Sequence, residues 1–238
     1  MFQEEALSDL ISPEQSFSER VALLLARSDC KLATSGEQRE AIIRLRYEVG
    51  VRERAISGRC PLTFSDCYDE TGNVYLFGLY IDDELASSIR LHIASKEQYQ
   101  FPSYEVFADV LQHKLEAGKV IVDYTRFVAD EYLAQLNREL PYATLRICML
   151  AAEHFNADYV IAAASLQHQA FYRRAFNYRA ISKPRPDAYL ATPVKLMMLH
   201  YSTAVDELYR RYPFFHSTGA ERRKLFGHEG FAPVSFQP

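Results

Sequence analysis

Residues 119–128 read KVIVDYTRFV, an apolar run whose interior carries one acid, Asp123, and one base, Arg126, three positions apart. The β-branched and aromatic side chains of Val120, Ile121, Val122, Phe127 and Val128 favour a strand, and their density marks it as a central one. Burying charge in such a run is costly unless the charges are paired or used. Two readings are open at this point: a structural ion pair, or an active-site strand. In a regular strand, residues three apart project to opposite faces. Asp123 and Arg126 can therefore serve one site only if the strand is bulged, and a β-bulge is expected near Tyr124.

Working outward, residues 74–81 and 85–94 are strand-like runs separated by Asp82, Asp83 and Glu84, the pattern of a β-hairpin, with Arg90 in its second arm. Residues 37–49 repeat apolar side chains (Ala41, Ile42, Leu45, Val49) at helical spacing, which puts Arg44 and Arg46 on faces other than the core stripe. Upstream, residues 12–28 predict a helix, with Ser16 and Glu19 at capping-box spacing, and residues 30–34 a short strand. Residues 50–65 read as irregular around Gly58 and Pro61, and 104–118 as polar helix or loop. Beyond the central strand, Pro141 opens a helix that runs to Phe155, residues 158–165 form an alanine-bearing strand, 168–176 a helix and 194–199 a strand. Residues 206–238 are rich in aromatics and bases and read as a helix and tail packing back on the domain. The expected organisation is an N-terminal helical extension over 1–29, a main domain over 30–202 and a C-terminal segment over 203–238. The fold class is α/β of the α+β type, a mixed sheet with helices on both faces.

Composition narrows the function. With 48% apolar and 24% charged residues, the 238-residue chain is ordinary for a globular protein. No apolar run approaches the roughly 20 residues of a membrane span, and the acidic N-terminus does not read as a signal, so a cytoplasmic protein is expected. Four scattered cysteines are expected to be thiols. The net charge of −4 argues against nucleic acid as a partner, yet residues 138–185 hold seven bases against three acids. That basic stretch is either a solvated face or a dock for an acidic partner. The nine glycines never form G-x-G, which excludes the dinucleotide fingerprint and the P-loop. Histidine and cysteine spacings predict no metal, and the absence of G-x-S-x-G speaks against a nucleophile-elbow hydrolase.

Four local patterns, in this order, carry a resemblance: Arg44-Leu-Arg46-Tyr47-Glu48-Val49, Asp66-Cys-Tyr-Asp69, Ser88-Ile-Arg90-Leu91 and Asp123-Tyr-Thr-Arg126-Phe127. Together they resemble the GNAT-type acyltransferase fold over about residues 30–200. Within it they are similar to the branch holding acyl-homoserine-lactone synthases and N-acyl amino acid synthases. The lactone synthases usually carry glutamate-x-serine-arginine on the strand and an aromatic pair with tryptophan after the first helix. Here Asp123 and Thr125 replace the first two, Gly50 stands where an aromatic is expected, and tryptophan is absent. The likeness is therefore closer to the N-acyl amino acid synthases. It implies a mainly antiparallel, GNAT-like sheet splayed at its central strands.

The resemblance also implies chemistry. Moving an acyl group from a thioester to an amine needs a neutral amine, oxyanion stabilisation, a proton for the departing thiolate and a channel for the pantetheine arm. Asp123 is the expected base, Arg126 its companion, and Tyr172, in HQAFYRRAF, the expected acid. Asp66, Asp69 and Arg90 would orient the amine, and Arg44 or Arg46 its carboxylate, by charge-assisted hydrogen bonds. Tyr124 and Thr125 would bind substrate, and Ala162, Ala163 and Ala164 would leave room for the arm. CoA-using relatives place a glycine-bearing loop directly after this strand, whereas residues 129–140 contain no glycine. The expected donor is thus an acyl-phosphopantetheine thioester on an acyl carrier protein, with acyl-CoA second and no bound cofactor. Arg138, Arg146, Arg173 and Arg174 would dock the carrier. A long-chain N-acyl amino acid would touch membranes only transiently. The alternatives are a lactone synthase, a CoA-dependent N-acetyltransferase and a non-catalytic acyl- or carrier-binding module.

Overall fold

The computed structural model describes residues 15–53, 65–188 and 190–227. Helix α1 (Phe17–Ala26) is shorter than the 12–28 expected but carries the expected capping box: the Ser16 hydroxyl accepts from the Glu19 N–H and the Glu19 carboxylate from the Ser16 N–H. Strand β1 (Ser28–Leu32) leads to α2 (Gly36–Arg52), which has a second capping box between Ser35 and Gln38. After a 3-10 turn (Cys67–Glu70) come β2 (Val74–Ile81) and β3 (Glu84–Ala94). They are joined by Asp82 and Asp83 at φ +50° and +67°, the paired left-handed turn that matches strand twist.

The segment left open as helix or loop is a helix, α3 (Pro102–Glu116), kinked at Phe107. Strand β4 (Ile121–Ala129) is followed by a short helix without periodicity to announce it, α4 (Glu131–Leu136), and then α5 (Leu140–His154). Strand β5 (Tyr159–Ser165), helix α6 (Leu166–Phe176), the two-residue β6 (Arg179–Ala180) and β7 (Val194–His200) complete the sheet. Two helices, α7 (Tyr201–Arg211) and α8 (Gly219–Phe226), close the described chain instead of the single one expected. Of the segments expected to extend the domain, residues 1–14 and 228–238 lie outside the described residues, as do 54–64, with Cys60, Gly58 and Pro61.

The seven strands lie in the order β1-β2-β3-β4-β5-β7-β6, antiparallel throughout except for β4 with β5. Strand alternation gives β4 two loyalties. Val122 and Tyr124 join the main core with α5 and the C-terminal aromatics, while Ile121 joins Phe107 and Leu111 of α3 on the other face. The main core is sealed by aromatic packing from both ends of the chain. Phe17 of α1 meets Tyr142 at 4.6 Å between ring centroids, and Phe226 of α8 meets Phe77 and Phe155 at 5.5 Å each. No described helix is long and apolar enough to cross a membrane.

Two features of β4 place the site. Its pairing with β5 stops after three residues, Ile121, Val122 and Asp123, although β4 continues along β3 and β5 continues along β7. The two central strands therefore splay. The bulge exists but sits later than Tyr124: Thr125 pairs with Arg90 and Val128 with Ser88, so Arg126 and Phe127 together oppose Ile89. Arg126 takes φ +52° there, a left-handed conformation costing a non-glycine residue roughly 1–2 kcal/mol.

Candidate active site

The hydrogen bonds around β4 separate Asp123 from Arg126. The bulge turns Arg126 toward the turn before β2, where its Nη2 donates to Asp66 Oδ2 at 2.7 Å. Arg90 holds the same carboxylate through Nη1 to Oδ1 at 2.5 Å and Nη2 to Oδ2 at 3.2 Å, and its Nε donates to Thr125 Oγ1 at 3.0 Å. Arg90 Nη1 also reaches Asp69 Oδ1 at 3.0 Å, which accepts from Arg46 Nη1 at 2.8 Å. The capping geometry of the 3-10 turn sets both acids in place, since Asp66 accepts from Tyr68 N–H while Asp69 accepts from Asp66 N–H.

Burial opposes charge on Asp66, Asp69, Arg90 and Arg46. For Asp66 and Asp69 the arginines overcome it, and both carboxyls are held below their usual range. Arg90 is likewise raised by its two carboxylates against burial. Arg46, fully buried, is pulled down to about 10 by desolvation, which Asp69 offsets only in part. Two of its donors, Nε and Nη2, meet no acceptor among the described residues. Arg46 thus faces the sheet, whereas the helical spacing of its neighbours turns it away from the core. Arg44 is separate from the cluster: it is exposed and pairs with Glu40 at 3.4 Å.

Between the splayed strands lies a cavity of about 280 Å³. Residues 124–128 of β4 and Ala162, Ala163 and Ala164 of β5 line it, together with Asp66, Arg90 and Tyr172 of α6. The alanines keep the β5 side thin. Beyond Asp123, β4 has no ladder partner on its β5 side. Tyr172 packs against Tyr124 at 5.9 Å and Tyr178 at 5.8 Å between centroids. Burial pushes its phenol up to about 12, so it keeps its proton through the neutral range.

Asp123 is fully buried and, among the described residues, bonded neither to Arg126 nor to any other base. Its Oδ1 accepts from the Ser103 hydroxyl at 2.7 Å and its Oδ2 from the Ser103 N–H at 3.2 Å. Burial raises its pKa to about 6, and the Ser103 bonds and Arg90 hold it from rising further. Of this pair, Ser103 lines the cleft and Asp123 does not. His92, opposite Asp123 on β3, is kept neutral by burial and Arg90, with its pKa near 3, and its Nε2 lies 3.0 Å from the Tyr68 carbonyl.

The remaining arginines divide. Arg138, Arg173 and Arg174 are exposed. Arg146, expected at a docking surface, is instead turned inward. Its Nη1 donates to Glu221 Oε1 at 2.5 Å and its Nε to the Phe214 carbonyl at 2.6 Å, which fastens α8 to α5. Cys30, Cys67 and Cys148 are free thiols, and no described group of three or more His, Cys, Asp or Glu side chains could hold a metal. Sequence reasoning missed Ser103 and the cleft residues Asp187, Leu190 and Thr192 before β7. Ser103 follows a helix-starting proline, which signals a helix end but nothing of the carboxylate 20 residues on. The loop before β7 carries no pattern at all.

Comparisons with known proteins agree with this geometry. The structure of FeeM, an N-acyl amino acid synthase from uncultured soil microbes, superposes with a TM-score of 0.63 at 16% identity, covering 74% of this chain and 92% of that one. A CoA-dependent acyl-homoserine lactone synthase, BjaI, solved with MTA, gives 0.52 at 14% identity over 75% and 83%. A putative N-acetyltransferase from Lactobacillus plantarum gives 0.51 at 19% identity over 72% and 96%. These likenesses establish a GNAT-like fold. A search of curated proteins finds no match. The family model of the N-acyl amino acid synthase FeeM matches residues 41–200, which span the ionic cluster, both splayed strands and Tyr172. The chain therefore belongs to the FeeM N-acyl amino acid synthase family and is an acyltransferase.

Proposed function

We propose that this acyltransferase, working in the cytoplasm, moves a long-chain fatty acyl group from an acyl carrier protein thioester to the amino group of an amino acid. The observation that carries the reading is the cleft itself: a gap between β4 and β5 with an alanine wall, opening beside a cluster of three guanidiniums and two carboxylates. A pantetheine arm laid in the gap could bond to the backbone that the strands no longer share, and its thioester carbonyl would then meet β4 N–H groups as oxyanion donors. The cationic excess of Arg46, Arg90 and Arg126 suits the acceptor's carboxylate, and Asp66 its ammonium.

Attack by the neutral amine forms the C–N bond and a tetrahedral oxyanion. Collapse breaks the C–S bond and releases the thiol, the nitrogen's second proton balancing the one the sulfur takes. Tyr172, holding its proton, donates a hydrogen bond to the departing sulfur. Its raised pKa makes it a better stabiliser than a full proton source.

The carrier-protein donor is favoured by the segment after β4. In place of a glycine loop, α4 packs Leu133 and Ala134 onto an apolar cluster, and the Asp130 carboxylate accepts from the Leu133 N–H at 2.9 Å. A carboxylate already at that helix start repels a pyrophosphate. Incubation with palmitoyl carrier protein or palmitoyl-CoA and a mixture of amino acids, read by product mass, tests the proposal. An N-acyl amino acid formed preferentially from the carrier thioester is expected. A lactone product, acetyl-CoA preference or no N-acyl product overturns it.

A further inference from the structure

We propose that Ser103 is the group through which Asp123 acts on the acceptor amine, a buried hydroxyl relaying a proton from the cleft to the carboxylate. The inference deepens, and rests on, the acyl-transfer reading above. Its ground is the order of the groups. Ser103 is 1% exposed, lines the cleft and donates its hydroxyl proton to Asp123, which lies behind it, fully buried and outside the cleft wall. The arrangement is built into the fold. Phe101, at the N-cap of α3, offers no capping side chain, so Asp123 of β4 takes that place by accepting from Ser103 N–H. Both carboxylate oxygens are thereby directed at one residue.

A hydroxyl has one donor and two acceptor positions. With its proton on Asp123 Oδ1, the Ser103 oxygen still accepts an N–H from a group in the cleft. In the step proposed, an ammonium N–H bond breaks and its proton passes to Ser103 Oγ, while the Ser103 hydroxyl proton passes to Asp123 Oδ1. Ammonium and carboxylate become amine and carboxylic acid, serine is unchanged, and the acid later returns its proton to solvent. The other charged or titratable groups around Asp123 are ill placed to replace it. Neutral His92 on β3 is directed at the Tyr68 carbonyl, Arg90 is engaged with Asp66, Asp69 and Thr125, and burial on α5 pushes the Cys148 thiol well up.

The test measures kcat and KM of the whole protein with palmitoyl carrier protein and the acceptor found by product mass, from pH 6 to about 9.5. Ser103→Ala and Asp123→Asn are each expected to lower kcat about 10- to 100-fold at pH 7 with thioester KM within about twofold, and the double variant to be no worse than either single one. The deficit should shrink to about threefold by about pH 9.5, as a growing share of the acceptor amine is neutral without help from the relay. Ser103→Thr, which keeps the hydroxyl, should recover at least about a third of wild-type kcat, and it decides the matter if the alanine variant does not fold. A Ser103→Ala deficit equal at every pH, or none at pH 7, overturns the relay and leaves Asp123 a helix cap. Absence of product from the wild-type protein is a separate result, which overturns the acyl-transfer reading and the relay with it.

Discussion

Asp123 and Asp69 are buried carboxylates with opposite pH behaviour. Desolvation raises Asp123 to about 6 against its Ser103 bonds, so the folded chain binds that proton more tightly than the unfolded chain does. The stability associated with Asp123 is then greatest below about pH 4, declines between about 4 and 6, and stays low above. A rise from the ordinary carboxylate value near 4 to about 6 corresponds to about 3 kcal/mol. Urea unfolding at pH 4.5 and 8 should show wild type losing about 2 kcal/mol relative to Asp123→Asn across that interval, and parallel curves would refute the assignment. Asp69 is held low by Arg46 and Arg90 against burial, so its contribution is present above about pH 4 and is lost as the pH falls further. Asp69→Ala leaves Arg46 buried without its carboxylate and should cost about 3–5 kcal/mol. The exposed Arg44→Ala should cost under about 0.5 kcal/mol in the same assay. The sequence shows all four side chains alike as charges in apolar surroundings. Burial, which reverses the sign of one pKa shift against another, depends on contacts made 20 to 40 positions away.

At the scale of the element, the splayed β4–β5 pair forms the cleft. Its apolar content is legible because β-branched residues declare a strand whatever they pack against. The three-residue spacing of Asp123 and Arg126 calls for a bulge but does not locate it at Arg126 and Phe127, since which ladder residue goes unpaired is settled by the partner strand. Arg126 occupies a left-handed position where glycine is the usual choice, and its guanidinium is held by Asp66 there. The alanine wall opposite makes a direct prediction. Ala163→Leu puts three extra carbons into the cleft and should raise the thioester KM at least about tenfold, while thermal unfolding stays within a few degrees. An unchanged KM would place the arm elsewhere.

Across the whole molecule, the sheet's core is shared with both ends of the described chain. Phe226→Ala removes a ring packed against Tyr75, Phe77 and Phe155 and should destabilise the protein by about 3–5 kcal/mol in urea unfolding, although it lies far from the cleft in sequence. Charge at this scale concerns partners. Arg173 and Arg174, in the last turn of α6, are exposed, whereas Arg146 is committed to Glu221. Reversing both to glutamate should raise KM for a carrier-bound thioester about tenfold or more and leave a free pantetheine thioester within about twofold, a difference that added salt should erode. Equal effects on both donors would remove the carrier from this face. From sequence alone came most of the order of helices and strands, though not α4, β6 or the second C-terminal helix, together with the central strand with its acid and base and the four charged patterns that mark the family, because periodicity and side-chain type act locally. Only the tertiary structure decided that Asp123 answers to Ser103 and Arg126 to Asp66, that Arg46 is inside and Arg44 outside, and that the sheet opens beyond Asp123. Each of these depends on which distant segment occupies the other side of a hydrogen bond.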